Sequence, residues 1–353
     1  MTMTGEMADT GDTSASGATP VTAALDLRIV DDALDTAVRD GLAAVERRLA
    51  EAVQQRDRLA DDASRHLVQA GGKRVRPMLT LLAGHLGDPT RPQVLEAAVV
   101  VELTHLATLY HDDVMDSAPV RRGAPAAHQV WGNTVAILTG DLLFARASTI
   151  VAGLGVEAVR IQAATFERLC LGQLHETIGP ADGEDAVEHY LQVLSDKTGS
   201  LIATAGRFGA MFSGADPSVV DVLVSYGEQV GVAFQLADDV IDLVSDGAES
   251  GKTPGTDLRE GVPTLPVLLA RRSADGGDAE AARVVAMLDG DLADDGALAD
   301  AVAGLRGLPA LGEAQAEAAR WAAGAVAALD PLPESPAKSA LRAFAEAVVV
   351  RTA

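Results

Sequence analysis

The sequence predicts an all-α protein built as a single large helical bundle. Three observations lead there. Aromatic residues make up only 3% of the chain, and β-branched residues never dominate a long run, so neither a sandwich nor a barrel finds its strands. Stretches such as 184–212 and 217–246 keep a helical pattern throughout; at about 1.5 Å per residue they run roughly 40–45 Å, too long for the helices that flank an α/β sheet. No stretch of solenoid-repeat length recurs along the chain. With 353 residues and 48% hydrophobic content, there is core enough for one such bundle.

In chain order, residues 1–25 (MTMTGEMADTGDTSASGATPVTAAL) are rich in Thr, Ser, Gly and Ala and have no apolar period. They read as a disordered tail, which leaves 26–353 as the helical domain. The helical pattern starts near residue 28. Gly71-Gly72 and Pro77 bracket a break, and Pro92 opens a long segment that reaches about Asp116. Gly123 to Pro125 and Gly132-Asn133 punctuate the next stretch. Helices are predicted over 134–152, 157–178, 184–212 and 217–246, then a Gly/Pro-rich loop at 247–263 and shorter Ala-rich helices to the C-terminus.

Acids outnumber bases 51 to 28, a formal charge of −23. Such a surface repels nucleic-acid phosphates and anionic lipid, which argues against both as partners. Cys170, the single cysteine, excludes an intrachain disulfide, fits a reducing compartment and reads as a small core residue. No uninterrupted apolar run approaches the length of a membrane span, and no basic residue precedes Arg28. A cytoplasmic protein without stable membrane insertion is expected.

Two aspartate clusters end two long apolar segments: Asp112, Asp113 and Asp116 in YHDDVMDSAPVRRG, and Asp238, Asp239 and Asp242 in FQLADDVIDLVSD. In each, the first and last aspartates share a helical face and repel one another, while the middle one points beside them. One cluster alone could be a solvated acidic cap. Two of identical DDxxD spacing on core-type helices call for a cation, and magnesium, which takes a few carboxylates and completes its shell with water and phosphate oxygens, fits.

Cations gather nearby. The 28 basic residues include only four lysines. Three of these sit in motif-like stretches: Lys73 with Arg76 in GGKRVRP, Lys197 in DKTGSL and Lys252 in SGKTPGTD. Arg121 and Arg122 follow the first cluster. Fork-shaped guanidinium and point-charge ammonium donors together suit phosphate groups.

These motifs make the chain resemble the trans-isoprenyl diphosphate synthases, the polyprenyl synthetase family. The resemblance runs from GGKRVRP through VELTHLATLYHDDVMDSAPVRRG, LCLGQLHE, DKTGSLIATA and GVAFQLADDVIDLVSD to GKTPGTDLREGVPTLP, about residues 28–353. It implies an isoprenoid-synthase bundle with a central cavity and a magnesium-dependent prenyl transfer, with three ions in place when substrate is bound. Isopentenyl diphosphate would condense head-to-tail with an allylic diphosphate. It implies further that Asp112, Asp116 and Asp238 bind the metals, with Asp113, Asp239 and Asp242 in support, and that Arg121, Lys197 and Lys252 contact the allylic diphosphate. Lys73, Arg76, His105 and Arg122 would hold isopentenyl diphosphate, Thr198 and Gln235 would face the cation, and Gln173 the first cluster. His111 is expected to hydrogen-bond near the site, and Asp246 and Asp257 to be solvated loop residues. A homodimer is also implied.

The family's usual EGK before TLP reads Glu260-Gly261-Val262, so one lysine that reaches the allylic diphosphate is missing. Rival classes fit less well. A terpene cyclase would show an Asn/Ser/Glu motif in place of the second DDxxD, and a non-catalytic partner subunit would lack one cluster. A short-chain farnesyl or geranylgeranyl synthase carries a bulky residue four or five positions before the first aspartate. Thr108 and Ala107 stand there, both small. An open floor and a long product, roughly seven to ten isoprene units for a quinone side chain, are therefore expected, although Phe144 or Leu143 on a neighbouring helix could still block the path.

Overall fold

The computed structural model describes residues 29–245 and 254–350; the tail at 1–25, Asp246 and Lys252 lie outside the described residues. Helix α1 (Asp32–Ala52) and helix α2 (Arg58–Gln69) each start at an aspartate N-cap, Asp31 and Asp57, whose carboxylates accept from the Leu34 and Ala60 amides. Helix α3 (Val75–Gly84) comes after the Gly71-Gly72 break. Pro77 falls inside its first turn, where the missing N–H has no helical partner to lose, so the break is shorter than the sequence suggests.

Helix α4 (Pro92–Met115) is the central rod. Val99, Val100, Val101 and Leu103 are all fully buried, so it is packed around its whole girth. Next comes a short hairpin, β1 (Val120–Arg121) antiparallel to β2 (Ala124–Pro125). Its turn residues Arg122 and Gly123 have φ of 54° and 77°, the left-handed pair that a two-residue hairpin loop needs. The sequence showed only the Gly/Pro punctuation there.

The chain continues through helices α5 (Ala127–Trp131), α6 (Asn133–Leu154) and α7 (Val156–Ile178). The stretch expected as one helix over 184–212 is three pieces: α8 (Ala186–Leu194), a π-helical turn (Ser195–Gly199) and α9 (Ser200–Ser213). Helix α10 (Pro217–Val244) is the longest described. Within the expected loop lies a single turn, α11 (Thr256–Arg259). Helices α12 (Leu265–Asp275), α13 (Ala279–Leu288), α14 (Asp295–Gly307), α15 (Pro309–Ala328) and α16 (Pro336–Val350) complete the bundle.

The core has three connected parts. Helices α3, α9 and α16 pack with α4 and the first half of α10; α12 to α15 pack on the second half of α10; α1 and α6 pack on α4. Helices α4 and α10, the two longest described, thus carry the aspartate clusters on rods that run through the core. Helix α6 has the length and mean apolarity of a membrane span by composition, without being the uninterrupted apolar run whose absence was expected. Asp141 and Arg146 interrupt it, and its buried face packs along α4.

Candidate active site

A cavity of about 800 Å³ opens between α4, α6, α7, the π turn, α9 and α10. Its lining combines the polar residues Arg76, His105, Asp112, Asp116, Arg121, Gln173, Lys197, Thr198 and Gln235 with Thr108, Phe144, Phe166, Leu169 and Leu201. Nine polar residues singled out from sequence thus line one space together with a set of apolar side chains.

The first cluster divides in two. Asp112 is half-buried and Asp116 caps the end of α4, its amide donating to the Asp112 carbonyl at 2.8 Å. Burial pushes the Asp112 carboxyl up to about 6 against the pull of Lys197. Asp113 turns away: it is fully buried, accepts from Arg121 Nε at 2.6 Å, and leaves its Oδ2 without a hydrogen bond. Asp113 and Arg121, expected as a metal ligand and a diphosphate contact, are thus paired with each other. The bond ties hairpin β1–β2 to the end of α4.

In the second cluster Asp239 is buried and accepts from the Tyr190 hydroxyl and, at 3.5 Å, from Gln235 Nε2. Burial pushes its carboxyl up to about 8, and the charge of Asp257 adds to the rise. Asp257 therefore belongs beside this cluster rather than to a solvated loop. Asp242 accepts from the Thr256 and Asp257 amides at 3.3 and 3.2 Å and so holds the start of α11. The two clusters lie near a common neighbour: the Glu260 carboxyl is raised by burial and then by the charges of both Asp116 and Asp242, although Asp238, Asp239 and Asp242 are not among the cavity's lining residues. Burial of a carboxylate without a counter-charge is costly, so the raised Asp112 and Asp239 are the groups a hard divalent ion would favour. An all-oxygen donor set of this kind suits magnesium or calcium.

Lys197 and Thr198 are presented by the π turn, a form that recurs at functional sites. Its neighbours hold it in place. Asp196 accepts from Arg168 Nε at 2.7 Å and from Gln192 at 2.8 Å, and Arg168 also donates to Glu228 and Ser195. The bond it donates to Glu228 leads in holding the Arg168 guanidinium firmly protonated. Gly172 lets α7 close on the turn, since a Cβ there would lie 2.8 Å from the Lys197 amide nitrogen. Lys197 pairs with Glu176, and the Thr198 hydroxyl donates to Gln235 Oε1 at 3.5 Å.

A second cationic group surrounds the Gly71-Gly72 loop. Glu102, 1% exposed, accepts from Arg74 Nη1 at 2.7 Å and lies 3.8 Å from Arg122 Nη2. Arg122 donates to the Leu67 carbonyl at 3.3 Å and to that of Gly71. Gly72 has φ of 138°, which favours glycine, and a Cβ there would also meet the Arg122 guanidinium carbon at 2.6 Å. Arg76 and His105 stand on the cavity wall in front, Lys73 is exposed on the loop, and Arg122 lies behind, off the lining. Burial lowers Arg76 to about 10, with Glu102 opposing. Burial and then the charges of Arg76 and Arg122 hold His105 neutral, well below the usual histidine value.

Several expectations need correcting. Thr108 lines the cavity, whereas Ala107 is fully buried in the core between α4 and α6, its carbonyl 3.1 Å from where a Gly140 Cβ would sit. Leu143 is buried in that same core; Phe144 faces the cavity, its ring 4.3 Å from that of Phe166. Cys170 is exposed and lines the cavity rather than filling the core. Gln173 lines it with an unpartnered Oε1. His111 reaches the Ile137 carbonyl at 3.0 Å and Asp141 at 3.3 Å. The residues sequence reasoning missed are the supports: Arg74, Glu102, Arg168, Tyr190 and Asp257. Glu102 alone carried a signal, a lone acid inside an apolar helical run.

The match to known proteins agrees with this geometry. Residues 57–303 match the Polyprenyl synthetase family model. The chain is 48% identical over 334 residues to the nonaprenyl diphosphate synthase of Mycobacterium tuberculosis, covering 94% of this chain and 99% of that protein. It is similar to the structure of geranylgeranyl pyrophosphate synthase from Corynebacterium glutamicum complexed with calcium and isoprenyl diphosphate (TM-score 0.82, 44% identity, 92% and 99% covered). It also resembles a decaprenyl diphosphate synthase from Rhodobacter capsulatus (TM-score 0.81, 34% identity, 91% and 99% covered). Motifs, fold and site geometry lead to one conclusion: the chain belongs to the polyprenyl synthetase family.

Proposed function

We propose that the protein is a magnesium-dependent prenyltransferase that condenses isopentenyl diphosphate with an allylic diphosphate and repeats the step to an all-trans, long-chain polyprenyl diphosphate. The observation that carries this reading is the convergence of Asp112 and Asp116 with Arg76, Arg121 and Lys197 on a cavity that also has an apolar lining, with Asp242 of the second cluster near enough for its charge and that of Asp116 to act on the same Glu260 carboxyl. Divalent ions bound at the two clusters would neutralise the allylic diphosphate as its C–O bond breaks.

The chain's own residues divide the remaining work. Lys197, set by the π turn, carries a fixed positive charge to the departing diphosphate, whose charge grows in the step. Thr198 and Gln235 offer oxygens toward the allylic carbon as it becomes cationic. Arg76, with Lys73 and Arg122 around it, anchors isopentenyl diphosphate, and neutral His105 adds a hydrogen bond without adding charge. The double bond of isopentenyl diphosphate then attacks the allylic carbon and a proton leaves to restore an alkene. Phe144, Phe166, Leu169 and Leu201 exclude water that would otherwise quench the cation. Val262, at the position of the family's missing lysine, donates its amide to the Asp257 carbonyl at 2.9 Å and accepts from the Thr264 amide at 3.0 Å but brings no charge, which leaves that work to Lys197, Arg121 and Lys252.

A long product, for a quinone side chain, is supported by the small Thr108 and by the 48% identity to a nonaprenyl synthase. We propose a homodimer because Leu138, Val156, Val159, Leu171 and Ile178 expose large apolar side chains on α6 and α7. The acidic surface and the single cysteine support a cytoplasmic setting. Incubation with magnesium, isopentenyl diphosphate and a series of allylic primers, followed by chromatography of the dephosphorylated products, tests the reading.

A further inference from the structure

Phe144, Phe166 and Leu201 line the cavity from α6, α7 and α9. One helical turn beyond this level the walls change character. Four residues before Thr108 on α4 stands Thr104; four before Phe166 on α7 stands Gln162; three after Leu201 on α9 stands Thr204. All three are buried, and so is Thr165 beside Gln162. They form one layer. Gln162 Nε2 donates to Thr104 Oγ1 at 2.6 Å, and the Thr165 and Thr204 hydroxyls lie 2.6 Å apart. The Thr104 hydroxyl in turn donates to the Val100 carbonyl at 2.8 Å. Gln162 Oε1 is buried and has no hydrogen-bond partner.

For folding alone this layer is a poor choice. Leucine and valine would fill the same space without an unpaired amide oxygen. Its position relative to the chemistry explains it. Thr104 lies eight residues before Asp112, about 12 Å along the axis of α4. A prenyl chain lengthening away from the aspartates between α4, α7 and α9 meets the layer after only a few units. To pass, it must separate Gln162 from Thr104 and leave an amide and a hydroxyl facing hydrocarbon, which is unfavourable. A single glutamine side chain can nonetheless rotate aside, which an aromatic plug packed at the same level cannot do without moving a helix.

We propose that Gln162, hydrogen-bonded to Thr104, is a gate partway along the prenyl path that a chain must open to grow beyond its first few units, and so sets what share of chains reaches full length. The inference rests on the prenyl-elongation reading and specifies where elongation is checked. The Phe144–Phe166 pair narrows the approach; the Gln162–Thr104 bond is the barrier.

The test compares products of the wild-type protein with those of Gln162→Ala, Gln162→Phe and Thr104→Val, all assayed with magnesium, isopentenyl diphosphate and an allylic primer. Gln162→Ala removes the barrier and should shift the product distribution longer by at least one unit. Thr104→Val keeps the volume but deletes the acceptor, and should shift it the same way. Gln162→Phe should shift it shorter. The first condensation, remote from the layer, should keep its rate within about threefold. Should Gln162→Ala melt at assay temperature, the near-isosteric Thr104→Val carries the test. Active variants with wild-type product lengths, or a shortening by Gln162→Ala, would overturn the gate and leave the prenyltransferase reading standing. Absence of turnover in the wild type would overturn that reading and the gate with it.

Discussion

Arg121 donates from Nε to the fully buried Asp113 at 2.6 Å, so the middle aspartate of the first cluster holds a hairpin while its neighbours face the cavity. Asp112 and Asp113, adjacent in sequence, therefore have opposite mutational signatures. Asp112→Ala removes a partly buried carboxyl that Asp116 repels, so the melting temperature should hold or rise while turnover falls on the order of a thousandfold or more. Asp113→Ala strips Arg121 of its buried partner and should cost about 1–3 kcal/mol of stability. Circular-dichroism melts paired with steady-state rates check both; equal melting temperatures for the two variants would contradict the division of labour.

Asp239 supplies a pH signature. Its carboxyl is raised from 3.8 to about 8 by burial, so it binds its proton more tightly folded than unfolded. This contribution to the stability of the metal-free fold is full below about pH 4 and is lost as pH rises to about 8. Asp239→Asn keeps an oxygen for the Tyr190 hydroxyl but cannot ionise. In a chelator it should be more stable than wild type at pH 8, with each kcal/mol worth roughly 2–4 °C at most, and indistinguishable near pH 4. Magnesium should stabilise the wild type at pH 8 and the variant less, since Asp112, Asp116 and Asp238 remain to bind it. Differential scanning calorimetry at the two pH values decides it.

The cluster spacing, the bundle and most of the cavity's polar lining were legible in the sequence because each rests on local patterns: apolar helices, paired DDxxD, and scarce lysines placed in motifs. The supports were not legible. Tyr190 meets Asp239 across 49 residues and Arg168 meets Glu228 across 60, pairings that no local period encodes. The π turn was hidden because its extra residue leaves the apolar pattern of 184–212 nearly intact. Ala107 and Thr108 look interchangeable in sequence, yet adjacent helical positions differ by about 100°, which sends one into the core and the other into the cavity.

That difference is testable. Thr108→Phe should shorten products to roughly three or four units with turnover retained. Ala107→Phe should instead overpack the α4–α6 contact and cost about 1–3 kcal/mol of stability. Product chromatography and thermal melts of the pair check it; shortening by Ala107→Phe in a fully stable protein would mean that this residue does reach the tunnel.

Glu102 should act on one substrate only. Its carboxylate is the buried counter-charge of Arg74, with Arg122 at 3.8 Å, behind the wall that Arg76 and His105 present. Glu102→Gln should raise the KM for isopentenyl diphosphate about tenfold while changing that of the allylic substrate little. Lys197→Ala should instead depress kcat. Initial-rate kinetics with each substrate varied in turn separate them, and a common signature would contradict two distinct diphosphate pockets.

The most direct test of the account is the product of the unmodified protein supplied only with magnesium, isopentenyl diphosphate and an allylic primer. All-trans polyprenyl chains of roughly seven to ten units, lost when a chelator removes the metal, are the predicted result. Products no longer than four units would contradict the long-chain assignment, and no condensation at all would contradict the proposed function.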